Sequence, residues 1–180
     1  MKLRTAPVLA LLALAMLPAL AQASLPSAHS TLIVPNKSLG GVKLGSSLAA
    51  ATAAWGKGGT CSVSGCNYTT TGDRTGEASF LIGATTVGGP ERVLSISIEA
   101  GLQGTTGVKH SYNTPLARFK TANGIGLGST LAQLHHAYPH MSKEPGAEYF
   151  TLKGPGESLT SFNVEEGRVE SIKTQSVHLG

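Results

Sequence analysis

Aspartate occurs once in this chain, at position 73, and cysteine only twice. A Ser-His-Asp arrangement would have to use Asp73, which sits between Gly72 and Arg74 in a turn-like stretch, and no G-x-S-x-G elbow accompanies it. No block of five or more like charges occurs, nor any motif that reads DNA or RNA, so nucleic acid is excluded as a partner. The glycine-rich run Gly124–Thr130 precedes a helical pattern but lacks the lysine of a phosphate-binding loop. Two cysteines fall short of a finger-like zinc site, which needs further ligands at regular spacing.

What is present begins with an export signal. Lys2 and Arg4 are followed by an apolar run from Ala6 to Ala21 and by the small-residue exit Ala21-Gln22-Ala23. This layout predicts a signal peptide over 1–23, cut between Ala23 and Ser24. The run is too short and too proline-broken to remain as a spanning helix, so no stable membrane insertion is expected after cleavage. The exit has no cysteine for lipidation, and the start has no paired arginines. Losing Lys2 and Arg4 takes the formal charge from +4 to +2, which weakens the case that a basic precursor makes for polyanion binding. In an exported chain Cys61 and Cys66, in CSVSGC, read as a disulfide closing a short loop. Localisation is expected to be secreted, periplasmic or envelope-associated.

The strongest internal signal is self-similarity. Gly41–Gly56, GVKLGSSLAAATAAWG, aligns without gaps on Gly124–Pro139, GIGLGSTLAQLHHAYP, with seven identities in sixteen positions. Downstream, Asn67–Thr71 faces Glu148–Leu152, which pairs Tyr68 with Tyr149. Glu77–Gly83 faces Leu159–Glu166, pairing Phe80 with Phe162, and Arg92–Glu99 faces Arg168–Gln175. Each copy opens on a tight glycine loop with candidate N-caps at Ser46 or Ser47 and at Ser129 or Thr130. A helical stripe follows, through Leu48, Ala51, Ala54 and Trp55 in one copy and Leu131, Leu134, Ala137 and Tyr138 in the other. Three β-rich stretches come next. In Arg92–Glu99, Leu94, Ile96 and Ile98 alternate with polar residues, the pattern of an antiparallel strand with one wet face. The expected fold is α+β: two tandem copies of a helix followed by a three-stranded antiparallel meander, sharing one core. The expected boundaries are 24–100 for the first copy, 101–123 for a linker and 124–180 for the second.

The Gly-x-x-Leu-Gly-Ser-Ser/Thr-Leu-Ala signature, with its Ala-Trp/Tyr helix end and Arg-Val-x-Ser-Ile strands, carries a resemblance. It resembles the helix-plus-meander repeat of β-lactamase-inhibitory proteins and of the small lipoproteins of the outer-membrane β-barrel assembly machinery. The resemblance implies a protein-binding module that works outside the cytoplasm of a bacterium without a cofactor. It departs from both groups, having cysteines in one copy only and no lipidated cysteine.

Two other constellations invite chemistry. His136 and His140 are spaced to share a helix face, but Pro139 between them breaks that geometry, so no metal site is assigned. Glu165-Glu166 pairs two carboxylates beside Gly167, the composition of a hairpin turn, so no catalytic residue is assigned either. The expected function is a non-enzymatic binding module for a protein or envelope component, without cofactors. The alternative is an exported hydrolase or metal-dependent enzyme with an unrecognised site. Tyr68 and Tyr149 are the candidate partner contacts, because tyrosine is enriched in interfaces and the two hold matched positions.

Overall fold

A computed structural model describes residues 24–69, 76–84, 89–103, 109–146 and 148–176. The signal segment 1–23, including the Ala23 side of the cleavage point, and Asp73 lie outside these residues, and Ser24 is the first described. In chain order the strands and helices are β1 (Leu32–Val34), β2 (Ser38–Leu39), β3 (Val42–Lys43), α1 (Leu48–Trp55), β4 (Thr60–Ser62), β5 (Gly65–Thr69), β6 (Glu77–Ala84) and β7 (Glu91–Glu99). They continue with β8 (Gly101–Gln103), β9 (Lys109–Ser111), β10 (Lys120–Thr121), α2 (Leu131–Ala137), β11 (Ser142–Lys143), β12 (Tyr149–Lys153), β13 (Ser158–Glu165) and β14 (Arg168–Ser176).

The expected α+β architecture is corrected by this element order. The protein is mostly β, built on one continuous eight-stranded antiparallel sheet in the order β11-β12-β13-β14-β7-β6-β5-β4. Its two helices are short, eight and seven residues. Four strands, not three, follow each of them, and a further four-stranded sheet, β10-β1-β2-β3, and the β8-β9 ribbon complete the fold. The stretch 101–123 that reads as a linker carries β8, β9, a 3-10 turn over Pro115–Arg118 and β10. The physical reason is length: strands of two or three residues show no alternation long enough to be recognised.

Local signals nonetheless act where the sequence places them. Ser47, not Ser46, caps α1, its Oγ accepting from the amide of Ala50 at 3.3 Å. Thr130 caps α2 in a reciprocal box with Gln133. The two glycine loops dock on the long strands in the same way. The amide of Gly45 donates to the Val93 carbonyl and that of Val93 to Ser46, while Gly128, Val169 and Ser129 repeat the pattern, all at 2.8 Å.

Both helices cover one face of the large sheet. Trp55, fully buried at the end of α1, meets Tyr68 edge-on at 5.3 Å and Phe80 at 5.6 Å between ring centroids. Tyr138, just past α2, stacks on Phe162 at 5.8 Å. Between them the small sheet contributes Ile33, Leu39 and Val42 to the same core as Ile96, Ile98 and Ile172. Gly40 marks how tightly this closes: its φ is +61°, and a Cβ there would lie 2.8 Å from the Trp55 indole nitrogen. A side chain at that position has no room.

Candidate functional site

The other face of the large sheet is wet. Register places Asn67, Ser79, Ser97, Lys173, Ser161 and Thr151 in one row across it, and Glu77, Glu99, Ser171, Asn163 and Tyr149 in the next. Hydroxyls on this face pair with each other, as Ser79 and Ser97 do at 2.9 Å. Two features depart from this plain polar surface, one at the β4 edge of the sheet and one at the end of its inner strands β13 and β14.

The first is the β4-β5 hairpin at the sheet edge. Cys61 and Cys66 are directly opposite in its register and are joined as a disulfide, as the sequence suggests. The bridge closes the turn Val63-Ser64, and Val63 at its tip is 77% exposed. Gly65 ends the turn with φ +135° because Phe80's carbonyl fills the space a Cβ would need. Gly65 pairs with Leu81, which stands out from the wet face at 52% exposure. Two large apolar side chains therefore meet water at this end of the sheet, Val63 on the covalently fixed turn and Leu81 on the neighbouring strand β6.

The tyrosine candidates fare differently. Tyr68 is corrected: it is fully buried, its hydroxyl donates to the Gly56 carbonyl at 2.8 Å, and burial raises its pKa above the ordinary value. Tyr149 is half-buried on the wet face. The two do not hold matching places. Phe80 pairs with Cys66 and Phe162 with Phe150, so Tyr68 corresponds to Leu152, three residues beyond Tyr149. An odd offset on a strand puts side chains on opposite faces. Five strand spacings, about 24 Å, also separate β12 from β5, so Tyr149 is no neighbour of Val63.

The second feature is a cluster at the far end of β13 and β14. His110 on β9, Glu165 at the end of β13 and Glu170 on β14 form the one group of three potential metal ligands among the described residues. His110 Nε2 is 2.7 Å from Glu165 Oε2, and Nδ1 is 3.5 Å from Glu170 Oε1. The His110 side chain is 5% exposed, yet Nδ1 makes no hydrogen bond. The Glu170 side chain is 10% exposed, and its other oxygen accepts from Asn163 Nδ2 at 2.7 Å. Glu99 joins the cluster: burial first, then the charges of Glu170 and Glu77, raise its carboxyl's pKa, while His110 opposes them.

A β-bulge aims Glu170. Asn163 pairs with Ser171 and Val164 with Val169, leaving Glu170 as the extra residue. On β7 Leu94 is the extra residue of the same kind, between Val93 paired with Ile82 and Ser95 paired with Leu81. This corrects the expected alternation, since Val93 rather than Leu94 lies in the core with Ile96 and Ile98.

Glu165 is thus drawn into chemistry by a histidine that sequence reasoning passed over, whereas Glu166 lies in a two-residue turn with Gly167, at φ +49° and +75°. That turn geometry is the one the composition suggests. His135, His136 and His140 are all exposed and belong to no such cluster, His135 packing edge-on against Phe150 at 5.2 Å. The one sequence signal for the cluster is the substitution of Glu170 for Leu94 in otherwise matched strands. No protein-family model, curated protein or solved structure matches this chain.

Proposed function

We propose that this chain is an exported, non-enzymatic binding module that docks a protein partner outside the cytoplasm through the β4-β5 hairpin and the adjoining wet face. One observation carries the reading: Val63 and Leu81, two of the three large exposed apolar side chains among the described residues, lie at the same end of the sheet, Val63 on the disulfide-clamped turn and Leu81 opposite Gly65, where that turn ends. Single exposed apolar residues are ordinary, but two at one fixed end of a polar sheet face offer an apolar anchor within a polar rim. The clamp has already removed the turn's conformational freedom, so little ordering entropy opposes docking. The disulfide suits an oxidising compartment, and no helix among the described residues is long and apolar enough to cross a membrane. Both agree with export by the signal over 1–23.

The test compares the wild type with Val63→Asp and Leu81→Ser as baits on envelope extract of the host. Both side chains face water, so thermal stability should stay within about 0.5 kcal/mol of the wild type. A protein captured by the wild type should be weakened by about 2 kcal/mol in Val63→Asp. Equal capture by all three proteins would remove the hairpin from the interface.

A further inference from the structure

We propose that His110 and Glu170 form a binding site for a divalent transition-metal ion of the zinc class, with Glu165 and Asn163 as the residues that orient them. The argument starts from a gap. The Glu165 carboxylate, nearly half exposed, lies 2.7 Å from His110 Nε2 and accepts from it, which leaves Nδ1 as the ring nitrogen turned to Glu170. In the tautomer that donates from Nε2, Nδ1 offers its lone pair to a cation. That lone pair is buried, has no hydrogen-bond donor, and faces a carboxylate oxygen of Glu170 at 3.5 Å. A ring nitrogen and a carboxylate oxygen held face to face away from water make a donor pair for a cation.

The separation is that of two ligands on one ion. Zinc bonds nitrogen and oxygen at about 2.1 Å, which sets neighbouring ligands of a tetrahedral ion about 3.4 Å apart. A hydrogen bond between these atoms would bring them closer, to about 2.7–2.9 Å. The surroundings also have the form of an outer shell. A ligating histidine usually donates its other N–H to a carboxylate, as His110 does to Glu165, and a ligating carboxylate is itself hydrogen-bonded, as Glu170 is by Asn163. Glu99 adds a further carboxylate within electrostatic reach of Glu170, in the same register row as Ser171. Water completes the coordination.

The consequence is mechanical. His110 lies on β9 of the short ribbon, and Glu170 on β14 of the large sheet, so the ion ties one to the other. The sequence conceals this pairing because the ligands are sixty positions apart and no local motif links them.

Calorimetric titration of the mature protein with zinc chloride tests the site. The expected result is one zinc ion per chain. Binding should survive His136→Asn combined with His140→Asn, which removes the two exposed histidines spaced four apart. It should be lost in Glu170→Gln, an isosteric change whose folding is verified by circular dichroism, and in His110→Asn. Glu165→Gln should weaken it about tenfold to a hundredfold, the effect of an outer-shell partner. Absence of zinc binding in the wild type overturns the proposal, and so does binding that persists in Glu170→Gln but vanishes when His136 and His140 are replaced. If His110→Asn fails to fold, Glu170→Gln still decides.

Discussion

Tyr68 shows how one side chain can be assigned to the wrong role by a sequence alignment. Its ring lies in the core against Trp55 and Phe80, and its hydroxyl carries the carbonyl that α1 leaves unpaired at Gly56. Tyr68→Phe should cost about 1 kcal/mol at pH 7, the usual net worth of such a bond. The cost should shrink above pH 10. Burial raises the folded pKa of Tyr68, so ionisation is harder in the folded state than in the unfolded chain. The stability of the wild type is therefore whole below the ordinary value of 10.0 and falls as pH rises through the folded value, a loss the phenylalanine variant does not share. Tyr112 and Tyr138, whose pKa values are also raised, are common to both proteins and cancel in the difference. Urea denaturation of both proteins at pH 7 and above pH 10 checks this; a constant difference would mean that Tyr68 is not buried as an acid. The sequence named this residue but could not orient it, because gaps in the turns hide a three-residue shift and strand faces depend on parity.

At the scale of elements, the legible parts are those with local chemistry. Ser47 and Thr130 cap helices, Glu166-Gly167 makes a hairpin turn, and Cys61 and Cys66 lie close enough in the chain to bridge. The illegible parts depend on partners far along the chain. β1 pairs in parallel with β10, Leu32 beside Lys120, and a three-residue strand gives no hint of that. The bulges at Leu94 and Glu170 likewise follow from pairing, and they decide which residue of each strand leaves the core. The disulfide is the element whose contribution is most readily measured. Replacing Cys61 and Cys66 together by serine should cost about 2 kcal/mol or less, since the closed loop is short. The same variant should bind its partner more weakly, because the Val63 turn is no longer held in one shape. Denaturation and affinity measured together separate the two effects; an unchanged affinity would show that sheet pairing alone fixes the turn.

For the molecule as a whole, the sheet's continuity depends on β7 pairing with β14, from Glu99 beside Ser171 to Ser95 beside Gln175. That single junction joins strands β4 to β7 and β11 to β14 into one surface, with the apolar hairpin at one edge and the histidine–glutamate cluster at the end of its inner strands. One face is spent on the core under the helices and the small sheet, and the other is left to water. The binding reading therefore makes a statement about faces: the hairpin and wet face touch the partner, and the helix side does not. Site-specific photo-crosslinking in the host cell tests this most directly, with a photoreactive residue placed at Val63 or, as the control, at the exposed Gln133 of α2. The account predicts one discrete protein adduct from position 63 and none from position 133. No adduct from position 63, or the same adduct from both positions, would contradict it.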